Sequence, residues 1–120
     1  MRDQTVPDRT SFDKPSYDQT VAVTFTPPDI WTFTPDDVKM NDSGKVILRR
    51  SPGNQPWSWV SASVKDDTIG QFSPRAPNGA VLEIQDDHKE NGSWSYTVTV
   101  EIDGTSFTSP DPQITNKEPP

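Results

Sequence analysis

The stretch "SWSYTVTVEI", from Ser93 to Ile102, decides the fold of this chain. Its apolar side chains alternate with polar ones without exception, and they are Trp94, Tyr96, Val98, Val100 and Ile102. Because successive side chains of a β-strand point to opposite faces, this alternation predicts a strand that buries one face in a core. Asp103–Gly104 follows and favours a two-residue hairpin turn, so "TSFTS" is expected to fold back antiparallel on the same strand.

The same alternation begins at Gln19 and continues between turns rich in proline, glycine and asparagine. The side chains expected to face the core are Val21, Val23, Phe25, Trp31, Phe33, Val46, Leu48, Ala80, Leu82 and Ile84. A short strand is predicted over Thr68 to Phe72, then a loop "SPRAPNG", and a last edge strand around Ile114. About seven to nine such strands predict an all-β, antiparallel β-sandwich with an immunoglobulin-like or cupredoxin-like arrangement. Alternation does not give the strand order.

Length and composition indicate one domain. A chain of 120 residues suits a single core. Residues 1–18 are polar and interrupted by proline, so they are predicted to be an N-terminal arm, and residues 19–120 are predicted to be the single β-sandwich domain. Only 29% of the residues are hydrophobic and 13 are proline. That composition favours a thin core between two sheets whose outer faces are wet.

Charge and composition exclude several classes of function. The net charge of −7 repels phosphate, so nucleic acid is not an expected partner. No apolar run approaches the roughly 20 residues that cross a bilayer, and the first residues lack the apolar core of a signal peptide, so a soluble cytoplasmic protein without a membrane partner is expected. The absence of cysteine removes disulfides and thiolate chemistry. No cofactor and no metal are expected.

Two stretches resemble known families. The C-terminal "DGTSFTSPDPQITNKEPP", with Asp111–Pro112 and Glu118–Pro119, is similar to the signature of the DP-EP family, small bacterial proteins named for these dipeptides. That resemblance implies a β-sandwich of unestablished biochemical role and assigns no catalytic residue. "FTPDDVKMNDSGKVILRR", from Phe33 to Arg50, resembles the early strands of cupredoxins. A blue-copper centre needs a cysteine and two histidines, and this chain has no cysteine and one histidine, so the resemblance implies scaffold only.

The sequence contains few candidates for catalysis. His88, in "DDHKEN", is the only histidine, and no nucleophile motif such as Gly-x-Ser-x-Gly accompanies it. Three aspartate pairs, Asp36–Asp37, Asp66–Asp67 and Asp86–Asp87, suit a glycosidase or a calcium site only if a fold holds them at a defined separation. The simpler interpretation is that they solvate turns and accept hydrogen bonds from local backbone donors. The protein is therefore predicted not to be an enzyme, with a hydrolase built on His88 and the aspartate pairs as a remote alternative.

"PWSWVSASV", Pro56 to Val64, leaves the exposure of two tryptophans open. Trp57 and Trp59 share one face of a strand, while the apolar side chains from Val60 to Val64 share the other. A bulge after Trp59 would reverse the phase and turn both groups inward, and we expect at least one of the two indoles to be buried. If both are exposed instead, they form a flat apolar platform, which Arg49 on the preceding strand would border.

The sequence thus predicts a non-catalytic binding or protein-protein interaction module, with self-association as one form of it. The candidate ligand-binding residues are Trp57, Trp59 and Arg49. The alternative is a carbohydrate-binding module that uses the same two tryptophans.

Overall fold

The computed structural model describes residues 17–53 and 56–117, and these residues form ten β-strands and no helix. The strands are β1 (Gln19–Thr26), β2 (Ile30–Thr34), β3 (Asp37–Met40), β4 (Gly44–Arg50), β5 (Ser58–Val64), β6 (Phe72–Arg75), β7 (Leu82–Asp86), β8 (Gly92–Ile102), β9 (Thr105–Thr108) and β10 (Gln113–Asn116). Across these two ranges, accordingly, no helix is long and apolar enough to cross a membrane. The predicted N-terminal arm lies outside the described residues, apart from Tyr17 and Asp18.

Two sheets pack face to face, and the all-β sandwich is confirmed. The first sheet has the order β2-β1-β4-β7-β6, and the second has the order β3-β10-β8-β5, with β9 also paired to β8. Most neighbours are antiparallel, but β1 pairs with β4 and β3 pairs with β10 in parallel. The antiparallel prediction is therefore wrong at these two pairs. Turn residues in the sequence predict pairing only between strands that follow each other along the chain. The strands of these two parallel pairs are joined by long connections instead.

β8 occupies the middle of the core. Its inward residues Tyr96, Val98 and Val100 have no exposed surface, as the alternation predicts. The opposing sheet contributes the fully buried side chains of Val21, Val23, Phe25, Val46, Leu48, Leu82 and Ile84. Apolar burial is the main favourable term in folding, so this narrow layer of side chains holds the two sheets together.

The hairpin after β8 is also confirmed. β9 pairs antiparallel with Thr99–Ile102, and both turn residues have the positive φ of a type I′ turn, 50° at Asp103 and 82° at Gly104. Glycine meets this requirement without steric cost.

The ladder beside β8 is interrupted between β9 and β10. Val98 donates its backbone N–H to the hydroxyl of Ser109 at 2.9 Å, and Tyr96 donates its own to the Pro112 carbonyl at 2.9 Å. The chain between Ser109 and Pro112 thus leaves the sheet and rejoins it at β10. Ile114 on β10 is fully buried, and β10 lies between β3 and β8. The predicted edge position of this last strand is wrong, because β3 covers it by a parallel pairing.

The chain passes from the first sheet to the second between β2 and β3. Asp36 lies in this crossing, and its carbonyl accepts the backbone N–H of Gln113 at 2.7 Å. The crossing therefore lies directly beside the interruption between β9 and β10, at an open side of the sandwich.

The segment before β7 differs from prediction. Thr68 to Gly70 form a turn, and β6 runs from Phe72 to Arg75, into the predicted loop. β6 is an edge strand, which explains how it tolerates Pro74. Leu82 and Ile84 are buried as predicted, but Ala80 precedes β7 and is exposed.

Leu48 and Ile47 on β4 offer a direct test of the sandwich register. Leu48 is fully buried, and Ile47 is half-buried on the opposite face. We expect Leu48→Ala to lower the free energy of unfolding by about 2 to 5 kcal/mol, because it leaves a cavity in the core. Ile47→Ala is the matched control and should cost less than half as much in chemical denaturation. Equal costs would contradict this assignment of faces.

Candidate functional site

Trp59 precedes the predicted bulge. In the pairing of β5 with β8 the register shifts between Trp59 and Ser61. Trp59 is 4% exposed and Val60 is 48% exposed, while Ala62 and Val64 are half-buried against the core. The extra residue at Val60 reverses the phase, so both the tryptophan and the later apolar residues face inward. The bulge and the burial of at least one tryptophan are confirmed.

Trp57 is half-buried, and the two tryptophans do not form an exposed platform. The ring centroid of Trp57 lies 5.5 Å from that of Trp59, at an interplanar angle of 86°. It lies 6.3 Å from that of Phe25, at an angle of 72°. A chain with so few large apolar side chains uses both indoles to close its core.

The remaining surface of Trp57 opens into a cavity of about 370 Å³, called here the Trp57 recess. The residues that line it are Pro56, Trp57, Ser58, Glu101, Ile102 and Asp103. Neither Glu101 nor Asp103 forms an ion pair with any residue in the described part of the chain. The recess thus combines one indole with two uncompensated negative charges.

Arg49 does not border the tryptophans. It lies on β4 in the first sheet, opposite Ala22 of β1 in the register, and it is exposed. β5 belongs to the second sheet, so the assumed pairing of the strands that carry Arg49 and Trp59 is wrong. Adjacency along the chain does not imply adjacency in a sandwich, because consecutive strands often change sheets.

A second cavity, of about 310 Å³, lies where the chain crosses between the sheets, and is called here the Trp31 recess. The residues that line it are Trp31, Thr32, Phe33, Asp36, Pro110, Asp111 and Pro112. The β2 edge forms one wall, and the interruption between β9 and β10 forms the other. The sequence predicted Trp31 only as a core residue, since the long-range pairing that builds this recess leaves no local signal.

The charges of the Trp31 recess are unequal. Asp111 forms an ion pair with Lys65 at 2.8 Å, and both side chains are about half exposed. Asp36 has no side-chain hydrogen bond or ion pair within residues 17–53 and 56–117. One negative charge in this recess is therefore uncompensated.

Phe25 connects the two recesses. Its ring stacks on Trp31 at a centroid distance of 4.0 Å and an angle of 23°, and Phe107 lies 5.1 Å away on another side. Together with Trp57, these rings form the aromatic end of the sandwich, where β1 ends. Because Phe25 is fully buried, it fixes the half-buried rings around it.

His88 lies at the opposite end of the sandwich. Its ring Nε2 is 2.8 Å from the Met40 carbonyl, and its backbone N–H donates to Asp86 Oδ1 at 2.8 Å. The side chain is thus held between the end of β3 and the end of β7. This arrangement fixes a loop and brings no serine hydroxyl to the ring among the contacts of the described residues.

Three buried polar side chains surround this loop: Gln71, Asp86 and Asn116. Asn116 Nδ2 lies 3.1 Å from Gln71 Oε1 and 3.1 Å from Asp86 Oδ1. Gln71 Oε1 also accepts the backbone N–H of Lys89 at 3.0 Å. Asp86 thus satisfies a local backbone donor as predicted for the aspartate pairs, but it is buried and does not solvate the turn. The alternation of side chains along the strands could have indicated this burial. Asp86 occupies the next inward position after Leu82 and Ile84, and Asn116 occupies the next inward position after Ile114.

The aspartate pairs serve local structure. Asp67 accepts the backbone N–H groups of Gln71 and Phe72 at 3.0 Å each. Asp37 accepts the hydroxyl of Thr115 at 2.7 Å and the ammonium of Lys39 at 2.7 Å. Among the residues that the structure describes, no three acidic or histidine side chains gather as a metal site would require.

No protein-family model matches the chain, and a search of curated proteins finds no match. The DP-EP resemblance stays a prediction. Its Asp111–Pro112 lies in the wall of the Trp31 recess, and its Glu118–Pro119 lies outside the described residues.

Asp86 makes the stability of the fold depend on pH. Burial raises the pKa of its carboxyl above the ordinary 3.8, against the lowering effect of the His88 N–H and the Asn116 amide. Ionisation of Asp86 therefore lowers the free energy of unfolding. This destabilisation is absent below pH 3.8 and grows as the pH rises through the pKa of the folded state. We expect the stability of Asp86→Asn, relative to wild type, to improve as the pH rises from 3 to neutrality in urea denaturation. Asp29→Asn removes the same formal charge at an exposed position in the turn between β1 and β2, far from Asp86, and is the control. A difference between Asp86→Asn and wild type that is constant with pH would contradict this role.

Tyr96 gives a second test. Its hydroxyl is buried and has no hydrogen-bond partner in the described ranges. Removing such a group removes a desolvation cost, so Tyr96→Phe should leave the free energy of unfolding unchanged or raise it by up to about 2 kcal/mol. Tyr17→Phe is the control, because the Tyr17 hydroxyl accepts a hydrogen bond from Asn41 at 3.3 Å, and its loss should slightly destabilise the fold. A clear destabilisation by Tyr96→Phe in thermal unfolding would overturn this expectation.

Proposed function

We propose that this protein is a non-catalytic binding module that recognises a partner protein through its aromatic end. The observation that carries the proposal is that Trp31 and Trp57 each remain half exposed in a recess that also contains two carboxylates. No lysine or arginine of the described residues lines either recess. An aromatic face beside uncompensated negative charge favours a ligand that is cationic or rich in hydrogen-bond donors.

The positions of the titratable groups support a role without catalysis. The ring of His88 is engaged with a backbone carbonyl, and Asp67 and Asp86 accept hydrogen bonds that close loops. A general acid or base needs access to a substrate atom, which these engaged side chains do not offer. The hydrolase alternative has correspondingly little support.

A basic partner is favoured over a second copy of the chain. The edge strands β2, β3, β6 and β9 are only four or five residues long, β6 contains Pro74, and β5 contains a bulge. These features discourage pairing of one sheet edge with another. The net charge of −7 also makes two copies repel each other.

Membership of the bacterial DP-EP family and a cytoplasmic location, which the lack of cysteine supports, are further parts of this proposal.

Carbohydrate binding is the second candidate, and the Trp57 recess favours it. An indole beside Glu101 and Asp103 offers a stacking surface and hydrogen-bond acceptors for sugar hydroxyls. A neutral sugar would bind with little dependence on salt, whereas a cationic peptide would bind more weakly as salt screens the carboxylates.

Titrations of tryptophan fluorescence with basic, neutral and acidic peptides and with neutral oligosaccharides test the two candidates. We expect binding of basic peptides alone, weakened several-fold between 0.05 and about 0.5 M salt. The double variant Glu101→Gln, Asp103→Asn should reduce binding at the Trp57 recess without loss of stability. The matched control is Asp87→Asn, Glu90→Gln, which removes the same charge from exposed residues at the opposite end of the sandwich. Preferential binding of oligosaccharides would replace the first candidate by the second. A dimer by size-exclusion chromatography with light scattering would favour self-association.

A further inference from the structure

The rings around the Trp31 recess lie nearly parallel. Trp31 stacks on Phe25 at 23°, and the ring of Phe33 lies 6.0 Å from Trp31 at an interplanar angle of only 12°. Phe25 covers one face of the Trp31 indole, and part of the remaining indole surface lines the Trp31 recess. A planar group can extend this stack, because flat π-systems pack best in offset parallel arrangements.

The polar groups of the recess select a cation. Backbone carbonyls in its walls are already engaged: that of Asp36 with Gln113 and that of Pro112 with Tyr96. The prolines have no backbone N–H, so these walls offer an anion few donors. The Asp36 carboxylate remains available to accept hydrogen bonds, since Lys65 compensates only Asp111.

Tyr96 packs against Phe33, which is one of the residues that line the recess. Its ring meets the ring of Phe33 edge-on, at 6.1 Å and 86°, and its hydroxyl has no hydrogen-bond partner among the described residues. Burial and, to a smaller extent, the Asp36 charge raise the pKa of this hydroxyl, which places it within electrostatic reach of Asp36. The hydroxyl therefore stays neutral, and Asp36 supplies the negative charge that a cation would meet.

We infer that the Trp31 recess receives the guanidinium group of an arginine side chain from a basic segment of the partner protein. Guanidinium is planar and weakly hydrated, stacks on an indole and donates two parallel hydrogen bonds to one carboxylate. A lysine ammonium is a compact, strongly hydrated charge and gains less from the flat stack. The inference rests on the proposed binding function and names the group that the partner inserts.

Indole N–H signals in ¹H–¹⁵N NMR spectra report each tryptophan separately and so test the inference. The probes are three peptides, Gly-Arg-Gly-Arg-Gly-Arg and its lysine and citrulline counterparts, because citrulline keeps the planar shape without the charge. We expect the arginine peptide to shift the Trp31 indole signal at low-millimolar concentration, the lysine peptide to bind several-fold more weakly, and the citrulline peptide to leave the signal unchanged.

Two variants make the test specific. Asp36→Asn changes an exposed side chain and should weaken binding of the arginine peptide about tenfold. Asp87→Asn removes the same charge at an exposed position at the opposite end of the sandwich, so it is the matched control and should leave the Trp31 response intact. Equal binding of the lysine and arginine peptides would overturn the assignment to guanidinium. A response at Trp57 alone would overturn this inference while keeping the binding module, and a response at neither indole to any basic peptide would reject both.

Discussion

The packing of β8 against the first sheet is the constraint on which the rest of the structure depends. Tyr96, Val98 and Val100 have no exposed surface there. Burying each of the two valine side chains contributes about 1.5 to 3 kcal/mol, and Tyr96 adds the burial of its ring. With only 29% hydrophobic residues, the chain has few alternatives for closing a core. Because β5 pairs along one edge of β8 and β9 and β10 pair along the other, the position of this one strand also fixes the second sheet.

The recesses follow from the length of β8. β8 has eleven residues, whereas β9 and β10 have four each, so neither can pair with its whole length. β9 and β10 therefore pair with separate halves of β8, and the chain between them leaves the ladder. Prolines suit such a gap, since they cannot donate to a ladder. The gap coincides with the crossing of the chain between β2 and β3, which places Asp36 and Trp31 beside it. A cavity with an aromatic floor is thus a consequence of strand pairing.

The sequence predicts those parts of the fold that depend on neighbouring residues. Alternation identifies the inward faces of β1, β4 and β8, the Asp103–Gly104 turn identifies its hairpin, and the conflict of phase after Trp59 identifies a bulge. Pairings between distant strands are not encoded locally, so the parallel pairs, the interior position of β10 and the Trp31 recess escape prediction. Two sequence signals conflict at Asp86 and Asn116. The alternation of side chains places each of them on an inward face, whereas its polar side chain suggests a turn.

The two ends of the sandwich differ in the side chains that close them. At one end Gln71, Asp86 and Asn116 bury their polar groups to hold the loop that follows β7, which gives a closed surface. At the other end the half-buried rings of Trp31, Trp57 and Phe107 rest on Phe25, which has no freedom to move away. Rings that are already fixed lose little conformational entropy when a partner covers their exposed halves. If the proposed binding function is correct, the same contacts that complete the core also prepare the aromatic end for a partner.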